Sequence, residues 1–204
     1  ELGIKPIIVD MRQPLPKVSK VVTQIGKYKL RPEQEKAVKA ILSNKLGETP
    51  FQIGVLDYTV NAGKTLIMSA LYLSYKKQLK TLLITNDSDW LNQARDEFKQ
   101  YLPGEDITFV QGKVLNWSNF TIGMVQSISR NMKYYQNELA KIDMVLIDEA
   151  DQGGSKQYQN VITRLFNTRV RIGLSGTIYM SKLAKDKVKN MNLRCFFGDV
   201  LAEF

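Results

Sequence analysis

The sequence has no histidine and a single cysteine, Cys195. These scarcities exclude imidazole catalysis, metal sites built on clustered His or Cys, and an intramolecular disulfide framework within this chain. A lone thiol fits a reducing cytoplasm. No apolar run approaches the ~20 residues needed to span a bilayer, and no signal-peptide pattern opens the chain; a membrane partner is not expected. What is plentiful is apolar material and positive charge. At 204 residues and 44% hydrophobic the chain can build one ordinary core. Its 29 Lys+Arg against 20 Asp+Glu leave a net charge of +9, which favours a polyanionic partner such as nucleic acid. A hard cation held by carboxylates and phosphates stays open.

The first informative stretch is Tyr58-Thr59-Val60-Asn61-Ala62-Gly63-Lys64-Thr65. An apolar run, Phe51 to Leu56, precedes it, short enough for a buried strand. Leu66 to Leu71 follows as the start of a helical pattern. Strand, tight loop, Gly-Lys-Thr and helix form the architecture of a P-loop. The amides of a first helical turn have no intrahelical partners and carry the positive end of the helix dipole, so a polyphosphate can sit there. Gly63 lets the backbone approach, Lys64 reaches the β/γ-phosphates of ATP, and the Thr65 hydroxyl ligates Mg²⁺. The strict pattern wants Gly where this chain has Tyr58, and Asn61 stands where a further Gly is common. Taken alone, Ala-Gly-Lys-Thr reads more readily as an ordinary turn before a helix.

The second stretch is Asp143 to Asp151. Met144 to Ile147 reads as a parallel strand covered on both faces, with Asp148 and Glu149 at its carboxyl end. Open α/β sheets bind ligands at that edge, so both carboxylates are expected at the mouth formed by Lys64 and Thr65. There Asp148 binds Mg²⁺ and Glu149 orients and deprotonates the attacking water.

Around these stretches the chain alternates. Residues 1–28, with Pro14 and Pro16, read as a connector or edge segment. Pro32 opens a helix whose first turn carries Gln34, a carboxamide able to match adenine's exposed edge, though alone it reads as solvent-facing. Strands are expected at 80–86, 107–110, 120–125 and 170–174. Helices are expected at 88–101 with Ser88 as a possible cap, from Gln126-Ser127 to about Ala140, and at 157–166. Lys182 to Lys189 form a basic helical face. This alternation predicts an α/β three-layer fold with a mostly parallel central sheet.

The ordered set Leu30-Arg31-Pro32-Glu33-Gln34, Asn61 to Thr65, Leu83-Ile84-Thr85, Gln126-Ser127, Asp148-Glu149-Ala150-Asp151 and Ser175-Gly176-Thr177 resembles superfamily 2 helicases, in their first RecA-like motor domain. The likeness runs from about Leu30 to Thr177. Thr85-Asn86-Asp87 replaces the Pro-Thr-Arg-Glu-Leu stretch of DEAD-box proteins, and Ser-Gly-Thr stands for their Ser-Ala-Thr. The chain therefore looks more like type III restriction-related and phage UvsW-like DNA helicases. The resemblance implies a RecA-like P-loop domain over 29–204, in which Gln34 reads adenine and Asn61, Ala62, Gly63, Lys64 and Thr65 cradle the phosphates. It also implies that Lys64, Asp148 and Glu149 are catalytic and that Thr65 and Asp148 serve Mg²⁺. Asp151, Ser175 and Thr177 would couple nucleotide state to movement. Thr85, Asn86 and Gln126 would touch a nucleic-acid backbone, DNA rather than RNA, although Met124 stands where relatives often carry Thr.

Such motors work as two RecA-like domains, and the second is expected outside this chain, which opens on Glu1 and stops at Phe204. Alone it should bind ATP weakly and turn it over poorly. Two other readings are a phage-type DNA-packaging ATPase and a catalytically idle module that binds nucleic acid or a partner.

Overall fold

The computed structural model describes residues 14–18, 20–43, 52–58, 63–114, 117–176, 191, 194–198 and 200–203. A small antiparallel hairpin, β1 (Gln24–Ile25) and β2 (Tyr28–Lys29), stands apart from the main sheet within the segment expected to be a connector. Then come α1 (Pro32–Ser43), β3 (Gln52–Asp57), α2 (Lys64–Ser74), β4 (Thr81–Thr85) and α3 (Ser88–Tyr101). They are followed by β5 (Ile107–Val110), β6 (Phe120–Met124), α4 (Val125–Arg130), α5 (Met132–Leu139) and β7 (Met144–Asp148). A 3-10 turn (Ala150–Gly154), α6 (Lys156–Ile162), β8 (Val170–Ser175) and β9 (Val200–Glu203) complete the order.

The main sheet has seven strands in the order β5-β6-β4-β7-β8-β3-β9, and every pairing is parallel. Side chains alternate between faces even where the sequence is uniformly apolar. In β7, Met144 and Leu146 join the core under α1, α2 and α3, whereas Val145 and Ile147 join the core under α4, α5 and α6. All four are fully buried, each stabilising the fold by about 1.5–3 kcal/mol. A strand covered on both faces has no polar side to show, which is why this stretch reads as a run and not as an alternation. The expected three-layer fold with a mostly parallel sheet is the observed one.

Three expectations change. The helix from Gln126 to Ala140 is two helices, broken at Asn131, whose amide donates to the carbonyls of Ser127 and Ile128 and whose side-chain amide also reaches Ser127 O at 2.9 Å. An Asn side chain competes for backbone partners in this way. The cap of α3 is Asp87 and not Ser88: its carboxylate accepts from the amides of Asp89 and Trp90 at 2.8 and 3.0 Å. Finally, β9 adds an edge strand beside β3. A side chain on Gly54 of β3 would collide with Leu201 of β9, so the glycine makes room for that strand. The basic stretch Lys182 to Lys189 lies outside the described residues. Among the described residues no helix is long and apolar enough to cross a membrane.

Candidate active site

Chain order carries β3 straight into Tyr58, which is fully buried. Its amide donates to Ser175 O at the end of β8, and its hydroxyl donates to Glu33 O in the first turn of α1, both at 2.8 Å. Burial, then the Glu33 carboxylate, push its hydroxyl well above the usual tyrosine range, so it stays a donor. The residue that breaks the strict P-loop pattern thus ties α1 to the end of β3.

Thr59 to Ala62, including Asn61 and Ala62, lie outside the described residues. Gly63 then caps α2 with φ 77° and ψ 40°, in the left-handed region, where glycine pays no Cβ penalty. There is a second reason for glycine: a Cβ would strike Nε2 of Gln34. Gln34 is buried against this loop and its Oε1 accepts from the Arg31 amide at 2.9 Å. Read alone it looked solvent-facing; the packing of α1 on α2 buries it beside Gly63.

Lys64 and Thr65 open α2, ahead of the first intrahelical bond, donated by Leu66 to Gly63 O at 3.1 Å. Lys64 Nζ lies 3.5 Å from Asp148 Oδ1 at the end of β7. The charges attract at that distance, but it is too long for a good hydrogen bond. Oδ1 is enclosed and makes no hydrogen bond among the described residues, an expensive condition for a buried carboxylate oxygen. Burial raises the Asp148 carboxyl above the ordinary carboxylate range, with Lys64 opposing. An under-satisfied hard oxygen suits Mg²⁺. Among the described residues no three carboxylate, thiol or imidazole groups cluster as a self-sufficient metal cage. A Mg²⁺ here would therefore be held by Asp148, Thr65 and the substrate's phosphates, the usual way this ion is bound.

Glu149 follows with φ 52° and ψ 50°. A left-handed non-glycine residue stores strain of order 1–3 kcal/mol, and here it aims the chain sharply out of the sheet into the 3-10 turn. Its carboxyl is also raised: by burial first, then by Asp148, Asp151 and Asp87, against a smaller opposing effect of Lys64. Asp87 was not singled out from the sequence, yet it bears on both carboxylates; its preference for a helix cap was the available signal.

Beyond Glu149, Ala150 packs against Gly173 of β8 so tightly that a Cβ on Gly173 would lie 2.7 Å from that of Ala150. This close approach delivers Asp151, whose Oδ1 accepts from Ser175 Oγ at 2.9 Å. Thr177 lies outside the described residues.

The remaining predicted residues gather elsewhere, at the carboxyl ends of β4 and β6. Thr85 is buried and its Oγ1 accepts from the Asp87 amide at 3.1 Å. Gln126 Nε2 donates to Asn86 O at 3.4 Å. Asn86 Oδ1 and Gln126 Oε1 are both buried without a hydrogen-bond partner among the described residues. In sheet order, β7 separates this strip from β8 and β3.

A sequence model of the type III restriction enzyme res subunit family matches residues 27–180. The chain belongs to that family. It is a superfamily 2 helicase RecA-like domain of the type III restriction-related kind, as the sequence resemblance implied. The mimivirus protein named "Putative ATP-dependent RNA helicase L396" (Acanthamoeba polyphaga mimivirus) is 26% identical over 147 residues, 72% of this chain but 27% of its own length. The UvsW helicase of bacteriophage T4 superposes with a TM-score of 0.68 at 21% identity, over 91% of this chain and 64% of that one. The Sulfolobus solfataricus SWI2/SNF2 ATPase core, solved in complex with dsDNA, gives 0.65 at 21% identity, over 87% of this chain and 38% of its own. The two structural likenesses show the fold. This chain thus spans about a quarter of the curated relative it matches.

Proposed function

We propose that this chain is the ATP-binding motor domain of a nucleic-acid helicase or translocase, with DNA as its track. It would hydrolyse ATP with Mg²⁺ when paired with a second RecA-like domain. The observation that carries the reading is Asp148 Oδ1: buried, without a hydrogen bond, and 3.5 Å from Lys64 Nζ. Family membership supports a helicase-type motor and favours neither the packaging ATPase nor the idle module.

In this reading Gln34 contacts adenine, and Asn61, Ala62, Gly63 and the amides of Lys64 and Thr65 surround the phosphates. Bound Mg²⁺ would neutralise charge between the β- and γ-phosphates. Lys64 would place its ammonium on phosphate oxygen, and Asp148 and Thr65 would hold Mg²⁺ when it is bound. Glu149, its carboxyl raised by burial and by the neighbouring carboxylates, accepts a proton from the attacking water. Asp151, Ser175 and Thr177 sense the γ-phosphate's departure. Thr85, Asn86 and Gln126 lie along the polynucleotide. An arginine supplied by the second domain would add several orders of magnitude in rate, so this chain alone should be nearly inactive.

The deciding experiment is ATP hydrolysis by the full-length parent protein with no polymer, single-stranded DNA, duplex DNA or RNA, beside a Lys64→Ala control. Strong stimulation by DNA supports the proposal, and stimulation by RNA alone changes the track. Turnover indifferent to every polymer would sink the motor reading.

A further inference from the structure

From Ile107 to Asn137 the chain contains no Asp or Glu, but it carries Lys113, Arg130 and Lys133. All three are exposed, and among the described residues none lies within ion-pairing distance of a carboxylate; the ion pairs of this domain lie elsewhere. The fold folds this acid-free stretch onto itself. The loop leaving β5 is pinned to α4 by the Gly112 amide, which donates to Ser127 Oγ at 3.3 Å. It is pinned to α5 by Tyr135, whose hydroxyl accepts from the Val114 amide at 3.0 Å. Lys113 is thereby set over the ring of Tyr134, its Nζ 4.5 Å from the centroid and 3.4 Å from the hydroxyl. Tyr134 is 57% exposed, one of few large apolar side chains so placed.

Tyr134 faces outward on the helix whose next residue, Tyr135, is fully buried. An exposed tyrosine with a lysine on one face, and Arg130 and Lys133 close by in sequence on the same helical pair, combines the two elements that hold single strands: an aromatic platform and a cationic groove. The patch also continues an existing line. Gln126, bonded to Asn86 O, is next to Ser127, which is bonded to Gly112, which precedes Lys113.

We propose that Lys113, Arg130, Lys133 and Tyr134 form an outer contact for single-stranded nucleic acid, the cations on its phosphates and Tyr134 stacked on an unpaired base. This rests on the reading above that Asn86 and Gln126 lie along the polynucleotide, and it adds a base-stacking site and its direction of approach, past β5.

The test is fluorescence anisotropy of the chain with a labelled oligo(dT) and a labelled DNA duplex of the same length, over a range of salt. Tyr134→Ala should weaken oligo(dT) binding about tenfold, the scale of one base–aromatic stack, with little change for the duplex, and Tyr134→Phe should bind as the unaltered chain. Combining K113A, R130A and K133A should lower the slope of log affinity against log salt by about 2, at ~0.7 per lost single-strand contact. If Gln126→Ala weakens binding while the patch variants do not, the outer contact is wrong and the inner track stands. Equal losses on oligo(dT) and duplex would remove the stacked base. If the unaltered chain binds neither polymer, this proposal and the reading beneath it fall together.

Discussion

At the carboxyl ends of β7, β8 and β3 the chain gathers charge in enclosed places. The same ends of β4, β6 and β5 carry hydroxyls, amides and exposed cations, with the carboxylate of Asp87 engaged as the cap of α3. In the first region Lys64, Asp148, Glu149 and Asp151 crowd together, with two carboxyls raised by burial. In the second, Thr85, Asn86 and Gln126 are neutral, and the nearby stretch from Ile107 to Asn137 has no acid at all. The difference follows from what each would hold. A metal and a polyphosphate supply enough opposing charge to offset burial of carboxylates and a lysine. A sliding polymer needs contacts that are individually weak and not tied to one position, which amides and solvated cations provide.

The largest test of that division is a pair of substitutions. Lys64→Ala should cut ATP turnover of the full-length parent by about 10²–10³-fold, as loss of one preorganised charge contact does, and leave oligonucleotide affinity intact. Gln126→Ala should do the reverse. If each variant damages both activities equally, the two regions are not separate sites.

Next in size is Gly63→Ala. It places a side chain in the left-handed region, roughly 1–2 kcal/mol, and forces Gln34 aside. Nucleotide affinity should fall about tenfold or more, with a lower melting temperature and unchanged polymer binding. An unperturbed ATP titration would show that Gln34 and Gly63 do not share the site.

Tyr58→Phe removes the hydroxyl that α1 accepts at Glu33 O, a loss of about 0.5–1.5 kcal/mol. Melting temperature and ATP affinity should both drop slightly. Polymer affinity should not respond, because the Tyr58 bonds to Glu33 O and Ser175 O lie across β7 from the strip at β4 and β6.

The smallest effect concerns pH. Glu149's carboxyl is raised in the folded chain, so as a base it loses activity as pH falls through that raised value, and the acid limb of turnover should lie above the ordinary carboxylate range. The stability consequence has the opposite sense. A raised folded value stabilises below the unfolded pKa of ~4.3 and loses that contribution as pH rises through the folded value. Glu149→Gln should therefore melt slightly higher than the unaltered chain at neutral pH, and the gain should vanish near pH 4. A gain that persists in acid would point to relieved backbone strain instead.

Much of this was legible in the chain itself. Met144 to Ile147 read as a two-sided strand, and the helix at 88–101 was expected where α3 stands. What was not legible involved groups remote in sequence. Gln34 looked solvent-facing because a helix pattern does not say which helix will cover it. Tyr58 looked like a defect because its partners, Glu33 O and Ser175 O, lie 25 and 117 positions away. The break at Asn131 was missed because its amide bonding to Ser127 competes locally with a helix that the apolar spacing otherwise continues. The edge strand β9 has too short a run to be distinguished from loop until β3 offers it a ladder.

The sequence by itself determined the periodicities, and hence the alternation of strands and helices, the parallel sheet and the chemistry of Gly-Lys-Thr and Asp-Glu. Those follow from steric and hydrophobic rules that act over a few residues. Only the tertiary structure decided that Asp148 Oδ1 is enclosed beside Lys64, that Gln34 leans on Gly63, and that Lys113 lies over Tyr134. Burial and desolvation belong to positions in space, and nothing short of packing assigns them.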